Sequence, residues 1–286
     1  MSAVVTILLL LSTEELAREL DDVIVVDARP IAAYEAGHIP GARHLAAGDL
    51  SATQGGVTGL LKPVDALAPL ISEAGLEQGV PIVVYSAMDE PYEVKDAARV
   101  FWALSYLGFD QVSVLDGGYA KWQAEGRPTE TGAPAPKADP AGEIVLRPQE
   151  ERHATRGEVL ELMRAGEGIL ADMRPPAEYT GLDKAHYVKQ SGHIPGAYSV
   201  PVEDLVDAHE AGDKVFYTFK TGDALTQALA GEKDAPVISY CNTGRSGSVG
   251  YFAYRLAGYE EVSLYDGAMA EWGNHPGLRV QEAPAP

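Results

Sequence analysis

Short runs of apolar residues alternate along this chain with longer stretches whose apolar positions recur three and four residues apart. Val23 to Val26, Ile82 to Tyr85 and Val112 to Leu115 are short, rich in β-branched residues and bounded by turn formers, the pattern of strands buried on both faces. Thr13 to Leu20 begins with Ser12 and Thr13 as candidate N-caps, and Val94 to Leu107 carries apolar residues at helical spacing before Gly108, which predicts two helices. Such alternation predicts an α/β fold in which a parallel sheet is flanked by helices. Periodicity alone does not say which α/β fold it is.

The pattern occurs twice. Val25-Val-Asp27-Ala-Arg29-Pro30 returns as Leu170-Ala-Asp172-Met-Arg174-Pro175, and Gly37-His-Ile-Pro-Gly-Ala42 returns unchanged as Gly192-His-Ile-Pro-Gly-Ala197. Pro81-Ile-Val-Val-Tyr85 matches Pro236-Val-Ile-Ser-Tyr240, Val112-Ser-Val-Leu-Asp116-Gly117 matches Val262-Ser-Leu-Tyr-Asp266-Gly267, and Trp122 matches Trp272. The second copy gains ten residues around Gly181 to Gln190 and loses five after Cys241. Solenoid repeats run about 20 to 50 residues, so a period this long indicates two complete domains. A chain of 286 residues has room for two cores. The division we read is an N-terminal domain at 1–126, a linker at 127–142, a C-terminal domain at 143–281 and a tail at 282–286. The segment from Arg127 to Pro140 is rich in proline and small residues and reads as a semi-rigid linker. The tail, Glu282-Ala-Pro-Ala-Pro286, reads as frayed.

Forty-two acidic residues against twenty-two basic ones give a formal charge of −20, which disfavours nucleic acid or an anionic membrane as a partner. The plain reading of this balance is a soluble, acidic surface, and the expected compartment is the cytoplasm. The single cysteine excludes an intramolecular disulfide and a cysteine-based zinc site, and suits a reducing compartment. The apolar run Val4 to Leu11 is too short to span a bilayer and lacks a basic flank, so it reads as the lead-in to the first domain.

That one cysteine, Cys241, stands where the apolar run ending at Tyr240 passes into Cys241-Asn-Thr-Gly-Arg-Ser246. A lone cysteine is otherwise a small buried hydrophobe. Residues just beyond a strand's C-terminal end lie at the mouth of an α/β sheet, where ligands bind. A strand, a glycine-bearing loop and a following helix also aim backbone N–H groups and a helix N-terminus at the loop centre, where a thiolate or anion is stabilised. This position predicts a nucleophile.

Taken together, Asp-x-Arg-Pro at the strand end, Gly-His-Ile-Pro-Gly-Ala, the Cys-x-x-Gly-x-Ser loop, the Asp-Gly after the last strand and Glu271-Trp-Gly-Asn-His-Pro276 resemble a tandem-domain rhodanese. That family comprises thiosulfate and 3-mercaptopyruvate sulfurtransferases. The resemblance covers both halves and leaves out only the linker and tail. It implies two tandem rhodanese-like domains, a catalytic C-terminal one and an N-terminal one without the nucleophile. Aligning the halves accords with this, since Ser86 falls at the position of Cys241 and Ala87-Met-Asp-Glu-Pro-Tyr92, which follows it, has no glycine. Serine lacks sulfur's nucleophilicity at neutral pH and has no neighbouring histidine base in the sequence.

The implied reaction is a double displacement. An ordinary thiol titrates near about 8.5, and a helix N-terminus with an adjacent cation lowers that value. Cys241 then takes the sulfane sulfur of a small anionic donor as a persulfide and passes it to cyanide or a thiol acceptor, a protein thiol included. No metal and no organic cofactor is expected. In the loop, Gly244 turns the backbone, Arg245 attracts the anionic donor, and Thr243 and Ser246 either donate hydroxyl hydrogen bonds to it or cap the following helix. Asn242 belongs to the same candidate substrate-binding set without an assigned role. Asp172 and Arg174 have the partners Asp27 and Arg29 in the other half, so they read as a buried pair bracing the strand end, with pocket shaping as a second role. His38 and His193 recur although one half lacks the cysteine, which makes them fold elements, and His275 reads as a packing or loop residue.

Loop length separates this chemistry from phosphatases of the same architecture, in which cysteine is followed by five residues and then arginine. Here Arg245 comes after three, and residue 247 is glycine; the tighter cradle suits a single sulfur. Mercaptopyruvate enzymes commonly show Cys-Gly-Ser-Gly-Val-Thr and an extra arginine beyond the Asp-x-Arg signature, where this chain reads Pro175-Pro-Ala-Glu178-Tyr. The first half also lacks the insertion between Asp27 and Gly37 usual in that type. The expected donor is therefore thiosulfate, with 3-mercaptopyruvate as the alternative. Lys184, His186 and Lys189 in the inserted stretch are candidates for further positive charge at the pocket. A reading of another class is a persulfide carrier or redox-sensing interaction module without turnover.

Overall fold

The computed structural model describes residues 8–134 and 144–282. The expectations for Val4 to Ile7, for the linker beyond residue 134 and for the tail beyond Glu282 lie outside the described residues. The chain forms two compact units. Within the described residues, the first consists of Met1–Asp49, Pro63–Pro148 and Ala208–Thr218, and the second of Leu50–Lys62, Gln149–Asp207 and Phe219–Pro286.

In the first half of the chain the strands are β1 (Leu10–Leu11), β2 (Ile24–Asp27), β3 (Arg43–His44), β4 (Ser51–Gln54), β5 (Val57–Leu61), β6 (Ile82–Tyr85) and β7 (Val112–Leu115). Five form a parallel sheet in the order β1-β7-β6-β2-β3. Every residue of β2, β6 and β7 is buried, as expected of apolar runs with helices over both faces. The helix Thr13–Glu19 starts at Ser12, whose side chain and Glu15 make a reciprocal capping box, so Ser12 rather than Thr13 is the cap. The helix Val94–Tyr106 stops two residues before Gly108, at φ +89°.

The second half repeats the plan with β8 (His153–Ala154), β9 (Ile169–Asp172), β10 (Tyr198–Ser199), β11 (Val206–Ala211), β12 (Lys214–Phe219), β13 (Val237–Tyr240) and β14 (Val262–Tyr265). Its parallel sheet runs β10-β9-β13-β14-β8. Equivalent tryptophans anchor the two cores, and the indole N–H donates to Pro128 O (2.7 Å) in one and to Arg279 O (2.9 Å) in the other.

The strand ends carry a duplicated polar brace. Arg174 donates Nε and Nη2 to the Asp172 carboxylate (2.6 to 3.2 Å) and Nη2 to Gly192 O (2.9 Å). Tyr240 donates its hydroxyl to Asp172 Oδ2 (2.7 Å) and accepts Ile194 N–H (3.1 Å). Burial works against the Arg174 charge, but Asp172 outweighs it and holds the guanidinium protonated beyond its usual range. The same bonds join Arg29, Asp27, Gly37, Tyr85 and Ile39. His193 stacks on Tyr179 with centroids 3.8 Å apart and its Nδ1 lies 2.7 Å from Tyr179 O; His38 does the same on Tyr34. Both histidines are fold elements. The ring Nδ1 of His275 accepts Gly277 N–H (3.1 Å), a turn contact.

Two features depart from the sequence division. The linker starts later than its prolines suggest, because Glu130 bridges to His38 and Gly132 N–H donates to Glu35 O (2.9 Å). Arg147 N–H likewise donates to Leu107 O (3.0 Å), which keeps residues up to 148 in the first unit. The second departure concerns the two antiparallel hairpins, each of which joins the unit built mainly by the other half of the sequence. A lone hairpin has little core of its own and must satisfy its edge amides elsewhere. Leu61 N–H donates to Asp266 Oδ2 (2.6 Å), and Tyr217 N–H donates to Met88 O (2.8 Å).

Candidate active site

Cys241 directly follows β13 and is 4% exposed. Its loop is tied down by backbone bonds. Met173 N–H donates to Tyr240 O (3.0 Å), Met269 N–H to Cys241 O (3.0 Å) and Ala270 N–H to Asn242 O (2.9 Å). Gly244 then takes φ +77°, which glycine adopts without steric cost, and begins the helix Arg245–Leu256. The N-cap of this helix is Gly244, which offers no side chain to the first-turn amides. The amides of its first turn lack intrahelical carbonyl partners, and its dipole makes this end an anion site. Arg245 occupies the first helical position, half-buried.

Contacts from three directions hold the loop. Asn242 donates Nδ2 to Glu178 Oε2 (2.7 Å), and Arg174 Nη1 lies 3.6 Å from the same oxygen, so the Asp172–Arg174 brace reaches the loop through Glu178. Tyr187, from the inserted stretch, hydrogen-bonds Thr243; burial first, then the charges of Cys241 and Glu178, push its phenol above the usual range. Asn274 fixes the insertion by donating Nδ2 to Tyr187 O (2.9 Å) and accepting Lys189 N–H (3.1 Å). The expected cations are placed otherwise, since Lys184 donates Nζ to Lys189 O (2.9 Å) and both lysines and His186 are exposed.

The third direction is β5. Gly59, at φ +87°, lies so close to Thr243 that a Cβ there would meet Thr243 Cβ at 2.4 Å and Thr243 O at 3.0 Å. Gly59→Ala is therefore expected to displace the loop and lower kcat/KM for sulfur transfer by about tenfold or more, because small misplacements of reacting groups are costly. Steady-state rates beside a circular-dichroism melt test this; unaltered kinetics would remove Gly59 from the site.

A family model for the rhodanese-like domain matches residues 12–125 and again 155–275. The chain belongs to the rhodanese family. It is 31% identical over 261 residues to a thiosulfate sulfurtransferase of Azotobacter vinelandii, covering 91% of each chain. It is also 31% identical over 295 residues to the sulfur carrier protein TtuD of Thermus thermophilus, covering 95% of each. The crystal structure of SseA from Escherichia coli, described with the rhodanese fold and the mechanism of 3-mercaptopyruvate sulfotransferases, superposes with a TM-score of 0.77 at 28% identity, over 91% of this chain and 98% of that one. This chain is a sulfurtransferase of the rhodanese family. Among the described residues no helix is long and apolar enough to cross a membrane.

The other rhodanese unit carries Ser86 where this one carries Cys241. Ser86 is buried with its hydroxyl unbonded. Met88, aligned with Thr243, adopts φ +58° and is fully buried. Its bulk is matched by Gly118, where a Cβ would lie 2.9 Å from Met88 Cγ and 2.4 Å from Ser86 O, whereas the cysteine-bearing unit has Ala268 there, at φ +50°. A methionine and a glycine have taken the space of a threonine and an alanine.

Proposed function

We propose that this rhodanese is a thiosulfate sulfurtransferase with Cys241 as nucleophile. The observation that carries the reading is the placement of the cysteine: it ends a buried strand, ahead of an uncapped helix and a left-handed Gly244. The thiolate attacks the outer sulfur of thiosulfate, the S–S bond of the donor breaks with its electron pair on departing sulfite, and Cys241 carries a persulfide anion. Cyanide, or a small or protein thiolate, then attacks the terminal sulfur, leaves as thiocyanate or a persulfide, and returns the Cys241 thiolate. Atoms and charge balance in both halves without a metal or organic cofactor. Amides of the loop and helix start stabilise the sulfur anion, Gly244 permits their convergence, and Thr243 and Ser246 supply hydroxyls around it. Arg245 attracts the donor and balances the leaving sulfite.

Arg245→Ala is expected to raise the thiosulfate KM about tenfold while changing kcat less, since the guanidinium acts mainly on donor capture. Unchanged donor kinetics would take Arg245 out of the pocket. The likeness to TtuD favours a second reading, that of a persulfide carrier. Thiocyanate release from thiosulfate and cyanide separates the two: saturable turnover supports the enzyme, and stoichiometric loading without turnover supports the carrier. We place the protein in the cytoplasm, with no nucleic acid or membrane partner.

A further inference from the structure

The stretch 181–190 is present only in the unit that carries Cys241; at the equivalent point the first unit passes from Ala36 directly to Gly37. It is anchored from both ends. Val188 is buried in the core cluster that holds Trp272. Gly273 leaves room for it, since a Cβ there would meet Val188 Cγ1 at 2.6 Å. Gln190 N–H donates to Gly273 O (3.2 Å) and its Nε2 to Leu278 O (3.1 Å), while Asp183 N–H donates to Ala177 O (3.0 Å). Segments held in this way lose less freedom when a partner settles on them.

What the anchored stretch shows to solvent is apolar and cationic. Leu182 is 71% exposed and Tyr187 37%, and Lys184, His186 and Lys189 are exposed beside them in the chain. The His186 ring lies edge-on to Tyr187, with centroids 5.0 Å apart. Tyr187 in turn hydrogen-bonds Thr243, so this face borders the Cys241 loop. One exposed leucine is ordinary, but apolar surface gathered beside a reactive group marks a contact region. The charge here runs against the rest of the protein: the chain carries −20, whereas this stretch sets two lysines against one aspartate. Asp183 Oδ1 accepts Lys184 N–H (2.7 Å), and Lys184 Nζ donates to a neutral carbonyl, Lys189 O (2.9 Å). Glu178, just before the stretch, is bonded to Asn242 and lies 3.6 Å from Arg174. An acidic partner is therefore repelled by most of the surface and attracted at this rim.

We propose that 181–190 is the docking surface for the sulfur acceptor, and that this acceptor is a protein whose reactive cysteine is flanked by acidic residues. The partner's carboxylates meet Lys184, His186 and Lys189, and its apolar atoms cover Leu182 and the Tyr187 ring. Its thiolate attacks the terminal sulfur of the Cys241 persulfide; the S–S bond breaks with its electron pair on Cys241, and the partner leaves as a persulfide. The proposal rests on the reading of Cys241 as the sulfur carrier and names the class of acceptor. Capture of the small anionic donor stays with the loop and Arg245.

The test offers the persulfide-loaded protein two cysteine peptides of equal length at low ionic strength, one flanked by glutamates and the other by lysines. The expected result is a rate constant for sulfur transfer about tenfold higher for the glutamate peptide, a preference that shrinks as salt is added. Combining Lys184→Glu with Lys189→Glu should reverse the order of the peptides, while thiocyanate release at saturating thiosulfate stays within about twofold of wild type. Equal rates for the two peptides in the wild type, or an order that the double variant leaves intact, overturns the proposal. Fluorescence anisotropy of the same peptides, labelled and with the cysteine alkylated, reads docking without chemistry. A chain that never gains sulfur by intact mass would overturn the role of Cys241, and the order of peptide affinities would still decide the docking surface.

Discussion

Cys241→Ser is expected to abolish sulfur transfer, with kcat falling by at least about 10⁴-fold, because removing a covalent nucleophile leaves only binding and electrostatic stabilisation. The protein should remain folded. Ser86 already occupies the equivalent position in the first unit, fully buried, at the end of a strand with the same pairing. Two measurements check the expectation: thiocyanate release, and an intact mass that gains one sulfur after thiosulfate treatment in the wild type alone. A serine variant that retained turnover would require another group to carry the sulfur.

Asp172→Ala is expected to cost about 3 kcal/mol of stability, since it removes the multipoint partner of a buried cation and leaves only Glu178, 3.6 Å away, to balance it. The Asp172 and Arg174 side chains are 0% and 2% exposed, and Tyr240 would lose the acceptor for its hydroxyl. Deleting Arg174 with Asp172 should cost less than deleting Asp172 alone, since no unpaired charge remains buried. Denaturant unfolding of the single and double variants decides this. A loss near zero for the single variant would show that water or another group reaches the guanidinium. The variant also ought to slow sulfur transfer before it unfolds, because Arg174 reaches the loop through Glu178.

The sequence made the scaffold legible where the pattern was strongest. Ile82–Tyr85 and Val112–Leu115 begin and end where their runs do, since a strand buried on both faces is built mainly from apolar residues, and the buried Ser113 hydroxyl is satisfied by donating to Leu8 O (2.7 Å). The setting of the candidate nucleophile Cys241 was legible for a related reason: a strand end, a glycine and a helix start are contiguous, so local order in the chain is local order in space. The supports of the loop were not. Glu178 is 64 residues from its partner Asn242, and Tyr187 and Gly59 are 56 and 184 residues from theirs, Thr243, and no periodicity links such distant positions. The inserted stretch shows how charge alone misleads, because its lysines and His186 drew attention while the phenol of Tyr187 does the contacting. What would have found Glu178 was the comparison of the halves, where a carboxylate replaces a methyl group in an otherwise repeated brace.

The exchanged hairpin bears on how this gene can be divided. The stretch carrying Cys241 looks, by its motifs, like a self-sufficient cassette. Yet β5, which lies against Thr243 and donates an N–H to Asp266, is encoded far upstream, in the half without a cysteine. A fragment translated from residue 143 onward would contain Cys241 and lack the strand that lies against Thr243, so the first half of the sequence supplies a part of the unit that holds the cysteine.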